Sequence, residues 1–147
     1  MNYWLLDTHL LLWAAAGDER LPEWVIRRLN EPATHPLFSA ASIWEIVIKS
    51  SLGRKDFKVD ASVLRRGLLD NGYEELPITS THTLGVAKLP DHHRDPFDRI
   101  LAAQAIEEGI ELLTADELLA KYPGPITLVQ IQTKQSKPRK SPTGRSK

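Results

Sequence analysis

The sequence predicts an α/β fold of three layers, with a mainly parallel central sheet flanked by helices. Two observations carry that reading. Five short apolar runs of strand length alternate with six longer segments of helical periodicity, and strands linked by crossover helices pair in parallel. A third observation sets the size: 147 residues, 41% of them hydrophobic, suit one core and do not suit two.

The first strand is read at Tyr3 to Leu6, with a helix from Thr8 to Ala16 behind it and a second from Pro22 to Asn30. A strand at Pro36 to Ala40 leads into a helix at Ser42 to Leu52. There Ser42 stands three residues before Glu45, the spacing of a capping box, and Gly53 supplies the stop. A helix from Ala61 to Asn71, a strand from Tyr73 to Ile78 and a helix from Ser80 to Lys88 follow. Asp95 before Pro96 reads as an N-cap with proline at the first helical position, so the last helix spans Pro96 to Glu108 and Gly109 closes it. Strands at Glu111 to Thr114 and Ile126 to Ile131 complete the domain, residues 1–131. Residues 132–147 are rich in Pro, Ser, Gly and Lys and nearly without apolar side chains, a composition expected to stay disordered.

Composition narrows the chemistry. The chain has no cysteine, which excludes disulfides, thiolate nucleophiles and cysteine-bound metal centres. A metal would have to be held by oxygen or imidazole. The N-terminus lacks a basic region ahead of its apolar stretch, and Asp7 and His9 interrupt that stretch. Neither a signal peptide nor a membrane span is expected, and a cytoplasmic setting follows. The formal net charge of +0 is uneven: six of the nineteen basic residues and none of the nineteen acids lie from Gln132 onward. Thirteen basic residues remain against nineteen acids in the body, about −6.

In such a sheet ligands gather at the carboxyl ends of the strands. Asp7 follows the run Tyr-Trp-Leu-Leu and falls at that edge, where it also suits the N-cap of the next helix. Glu45 lies among Ile43, Trp44, Ile46, Val47 and Ile48, a setting that penalises a carboxylate without a partner or a metal; Lys49, four residues on, can pair with it. Asp95 and Asp98, three apart, share a helical face, and Asp98 precedes a flank of Ile100, Leu101, Ala102, Ala103 and Ala105 made for close packing. Asp116 follows the strand ending at Thr114 and returns to the same edge. Each acid alone has a structural reading as a cap or a surface pair; together they are delivered to one place. Clustered carboxylates repel unless cations neutralise them, and an all-oxygen set suits Mg²⁺ or Mn²⁺. Such a centre suits phosphodiester hydrolysis.

The segments "LLDTHLLLW", "SAASIWEIVIKSSLG", "DPFDRILAAQA" and "LLTAD" resemble, in order and spacing, the PIN-domain ribonucleases and among them the VapC-type toxins of prokaryotic toxin–antitoxin pairs. The resemblance runs from Met1 to about Ile131. It implies that Asp7, Glu45, Asp98 and Asp116 are the metal-binding catalytic acids, with Thr114 and Asp95 as auxiliary residues. It also implies cleavage of RNA with Mg²⁺ or Mn²⁺, inhibition of translation, a cognate antitoxin and a homodimer. An acidic site needs cationic help to hold a polyanion, and Lys49, Arg54, Lys55, His92, His93, Arg94, Arg99 and the basic tail are candidates. Arg94 and Arg99 equally suit ion pairs with Asp95 or Asp98. Trp13, Trp24 and Trp44 fall at helical positions expected to face the core, and His9 stands where it can meet a substrate near Asp7.

Two other readings stay open on the same topology. An aspartyl-phosphate phosphatase also uses an Asp after its first strand but requires a second Asp two residues on, where this chain has His9. A signalling receiver would end a middle strand in Asp, and no candidate strand does. A non-catalytic nucleic-acid or protein binding module would tolerate loss of the acids, all of which are present.

Overall fold

A computed structural model describes residues 2–91 and 94–131, and the basic tail, His92 and His93 lie outside the described residues. Five parallel strands form one sheet in the order β3-β2-β1-β4-β5. They are β1 (Asn2–Leu6), β2 (Thr34–Ser39), β3 (Glu74–Leu76), β4 (Glu111–Thr114) and β5 (Ile126–Leu128). Six helices connect them: α1 (Thr8–Ala16), α2 (Glu23–Leu29), α3 (Ala40–Ser51), α4 (Ala61–Asp70), α5 (Ser80–Val86) and α6 (Pro96–Glu108). The expected three-layer α/β/α architecture with a parallel sheet is the one found.

The layers follow from alternation along the central strand. Trp4 and Leu6 of β1 enter a core with Leu10 and Leu11 of α1, Val25 of α2, Ile46 of α3 and Leu64 of α4. Leu5, between them, enters a second core on the opposite face with Leu101, Ala102 and Ala105 of α6. Side chains of a strand alternate between faces, so a strand apolar at every position must be covered on both.

Helix ends explain why the elements stop where they do. At Gly17 and Gly109, which follow α1 and α6, φ is 63° and 67°, the left-handed cap that glycine adopts without penalty. Asp95 caps α6 as expected, its carboxylate accepting from the N–H groups of Phe97 and Asp98. The expected capping box at Ser42 and Glu45 is not found. Helix α3 starts at Ala40, two residues earlier, because Ser39 at the end of β2 turns directly into it and caps Ala41 N–H. A capping box does occur one helix pair later, between Thr79 and His82 of α5. Strand β2 correspondingly begins at Thr34 and not at Pro36; Pro36 is tolerated because β3 pairs only with Leu37, Phe38 and Ser39. Strands β3 and β5 are shorter than expected, three residues each. No helix among the described residues is long and apolar enough to cross a membrane.

Candidate active site

Register sets the first half of the site. Parallel pairing of β1 with β4 puts Leu6 opposite Leu113, so the next residues, Asp7 and Thr114, meet at the carboxyl edge. Asp7 is 5% exposed and doubly used. Its Oδ1 accepts from Leu10 N–H at 2.9 Å, capping α1. Its Oδ2 accepts from the Thr114 hydroxyl at 2.5 Å and from Ala115 N–H at 3.4 Å. The same Thr114 oxygen accepts from Asp116 N–H at 2.9 Å, which is the physical content of the two-residue spacing between Thr114 and Asp116. Asp116 in turn accepts from Leu118 N–H at 2.8 Å, in the turn that leads to the short 3₁₀ helix Leu119–Lys121, whose N-cap is Leu118. Cap and cluster are thus compatible roles for Asp7.

Glu45, 3% exposed, enters from α3. The Thr8 hydroxyl lies 2.6 Å from its Oε1 and 2.9 Å from Ser42 Oγ. A carboxylate only accepts, so the Thr8 hydroxyl donates to Glu45 and its oxygen accepts from the Ser42 hydroxyl. Thr8 and Ser42 are buried and act on the site by orienting Glu45, a role the sequence reading missed. Its signal was present: the three-residue spacing read as a cap also puts Ser42 and Glu45 on one face of a helix. The other oxygen, Oε2, receives Lys49 Nζ at 2.5 Å, and Lys49 Nζ also stands 3.9 Å from Asp95 Oδ2. Its ammonium sits 5.0 Å from the centroid of the Phe57 ring and 5.8 Å from that of Phe97.

Asp98, in the first turn of α6, is where the acids meet. Burial, followed by the negative charges of Asp95, Asp7, Glu45 and Asp116, pushes its carboxyl up to about 8. The other three acids singled out in the sequence, and Asp95 with them, therefore all bear on Asp98. Asp7 is raised as well, by burial first, against the hydrogen bonds from Thr114, Leu10 and Ala115 and the charge of His9 that lower it.

A cation is the chemical complement of this donor set. Carboxylates whose protons bind too tightly are relieved when a divalent ion takes their charge, and hard oxygen donors select Mg²⁺ or Mn²⁺. The residues fit such an ion by type and by mutual field. Among the described residues, however, no three carboxylates or imidazoles form a ready-made shell, because Glu45 is held by Lys49 and Thr8, Asp7 by α1 and Thr114, and Asp116 by its own turn. An ion bound by Glu45 competes with Lys49.

The remaining expectations divide. Arg99 is engaged by Val86 O at 3.2 Å, Pro90 O at 3.1 Å and the Tyr122 hydroxyl at 3.0 Å, tying α6 to its neighbours. Arg54, Lys55 and Arg94 are exposed. His9 lies between the Trp13 and Phe57 rings, 3.7 Å from Asp56. Trp13 packs against the core; Trp24 is 40% exposed and meets it at the rim, edge-on to the buried Trp4 ring at 6.2 Å, and Trp44, against expectation, is 60% exposed. Helical periodicity allowed both placements, since residues one position either side of the buried stripe lie at its rim.

The PIN domain family model matches residues 4–125. Among curated protein sequences no relative matches the chain. Solved structures with a similar fold include VapBC2 from Rickettsia felis bound to a DNA fragment from its promoter, 15% identical at a TM-score of 0.65 over 86% of this chain and 98% of that one. VapBC-1 from nontypeable Haemophilus influenzae is 17% identical, with a TM-score of 0.55 over 78% and 87%. A domain of a functionally unknown protein from Methanocaldococcus jannaschii is 12% identical, with a TM-score of 0.56 over 91% and 95%. With the family model matched over residues 4–125, a span that contains all four acids, the chain belongs to the PIN-domain family.

Proposed function

We propose that the chain is a divalent-metal-dependent endoribonuclease and the toxin of a toxin–antitoxin pair. The observation that carries this reading is the gathering of carboxylates at one sheet edge: Asp7, Glu45 and Asp116, from distant parts of the sequence, join Asp95 in bearing on Asp98, and with burial they push its carboxyl up to about 8. Carboxylates so crowded serve poorly as structural pairs and well as a cation site.

In this reading Asp7, Glu45, Asp98 and Asp116 offer the oxygen ligands. A bound Mg²⁺ or Mn²⁺ would supply a water of lowered pKa and take up charge at the scissile phosphate. Thr114 fixes Asp7 and Asp116 relative to each other, and Thr8 with Ser42 fixes Glu45. Lys49, displaced from Glu45, keeps a positive charge beside the site where a phosphate oxygen needs one. Asp95 holds the N-terminus of α6 and so the position of Asp98.

The antitoxin's seat in this reading lies away from these acids. A largely apolar cleft of about 700 Å³ lies between α1, α2 and α4, lined by Trp13, Leu21, Ile26, Leu29, Val63 and Leu68 among others, and by none of the four acids. Ile26 and Val63 are exposed there, as in grooves that take an amphipathic segment.

The test is hydrolysis of RNA by the purified chain. Cleavage is expected with Mg²⁺ or Mn²⁺, to stop with a chelator, and to fall by at least about 100-fold in Asp7→Asn and Asp98→Asn proteins that keep their circular dichroism spectrum. Wild-type cleavage by either variant would overturn the site. Mapping new RNA 5′ ends in cells expressing the wild type and the two variants identifies the target.

A further inference from the structure

We propose that Trp44 is a base-stacking residue: an aromatic platform that holds one unpaired nucleobase of an RNA strand beside the acid cluster. The proposal rests on the nuclease reading for its substrate and on the geometry of α3 and α6 for its place. Trp44 directly precedes Glu45, and Phe97 directly precedes Asp98. The two rings meet across the helices with centroids 5.3 Å apart and planes at 77°. This edge-to-face contact braces the indole while 60% of the residue remains exposed. The Lys49 ammonium, 5.8 Å from the Phe97 centroid, links the aromatic pair to Glu45 and Asp95.

Chemistry favours a base as the occupant. In the nuclease reading a bound cation and Lys49 meet the scissile phosphate, and the indole beside them offers a contact of a different kind, suited to an uncharged part of the substrate. A nucleobase has a neutral π-face, and aromatic side chains bind unstacked bases of single strands through it. A second copy of the chain is the rival occupant of this exposed face, which Val47 extends by one turn, and the oligomeric state of a Trp44→Ala protein separates the two.

The experiment uses the full chain and a single-stranded RNA of about 12 nucleotides that contains a mapped cut. Trp44→Ala is expected to raise KM about 10-fold and leave kcat within about 3-fold, with Trp44→Phe restoring most of the loss. Because stacking releases few counterions, the fold-change should be the same at low and high salt. Replacing the base next to the cut with an abasic ribose should weaken binding to the wild type and leave Trp44→Ala unaffected. An unchanged KM, a loss that Phe does not restore, or a loss that disappears at high salt would overturn the proposal. So would a change in oligomeric state on size-exclusion chromatography in Trp44→Ala, which assigns the residue to a second copy of the chain. The two readings fail separately. RNA bound through Trp44 but never cut sinks the nuclease and leaves the platform, whereas cutting indifferent to Trp44 sinks only the platform.

Discussion

Asp7 and Asp98 belong to one cluster but are built in opposite ways. Asp7 is part of the fabric: it ends β1, caps α1 and, through Thr114, ties β1 to β4. Its hydrogen bonds oppose the rise that burial imposes on its carboxyl. Asp98 projects half-buried from the first turn of α6, and burial and four neighbouring charges all push its carboxyl in the same direction, up to about 8. The fold needs the first acid whether or not the protein has a catalytic function. It carries the second at a cost, and that cost marks where a function is expected to reside.

The widest separation between the two should appear in stability, measured near pH 4 with a chelator present, where Asp98, raised to about 8, keeps its proton and its charge no longer contributes. Asp7→Ala removes a cap and strands the buried Thr114 hydroxyl, and should cost about 2–3 kcal/mol in denaturant unfolding. Asp98→Ala should cost less than about 1 kcal/mol. Equal costs would mean that Asp98 is as structural as Asp7.

The next contrast reverses the sign. The folded-state value of Asp98 lies above its ordinary 3.8, so between about pH 4 and pH 8 the metal-free folded protein holds a proton that the unfolded chain has released. Stability is then fully present below pH 4 and is lost as pH rises toward 8. Asp98→Asn removes this dependence. The variant should be more stable than the wild type at pH 7–8 by an amount on the order of 1–2 kcal/mol, discounted for partial exposure, with the gain vanishing near pH 4. Thermal melts of both proteins across that range check it. Mg²⁺ should stabilise the wild type at pH 8 and leave Asp98→Asn nearly unmoved.

Asp7 and Asp98 also differed in how well the sequence announced them. Helices α1 and α6 and strand β4 fall within their expected bounds because local chemistry punctuates them: Gly17 and Gly109 in left-handed caps, Asp95 with Pro96, and Thr114 before a turn. The start of α3 was misplaced because two serines compete for the cap, and the choice of Ser39 is made by where β2 ends, a tertiary fact. The same limit applies to the site. The acids were legible because topology carries each to one edge. The hydroxyls Thr8 and Ser42, the double role of Lys49 and the exposure of Trp44 depend on which face of α3 meets α1 and α6, which periodicity alone leaves undecided.

The finest test asks whether the cluster behaves as one electrostatic unit. Asp95 is the largest charge acting on Asp98, after burial and ahead of Asp7, Glu45 and Asp116, yet it is a cap and its carboxylate faces the N–H groups of Phe97 and Asp98. Asparagine also caps helices well, so Asp95→Asn should leave α6 in place and remove only the charge. The Asp98 carboxyl should then titrate below its wild-type value by a shift on the order of one pH unit, read from its side-chain carbon chemical shift in metal-free protein. Asp7, whose rise is due to burial, should move much less. If Asp98 titrates unchanged in Asp95→Asn, the Asp95 charge does not reach it, and its elevation falls to burial and to Asp7, Glu45 and Asp116, whose Asn and Gln variants then decide whether mutual repulsion exists at all.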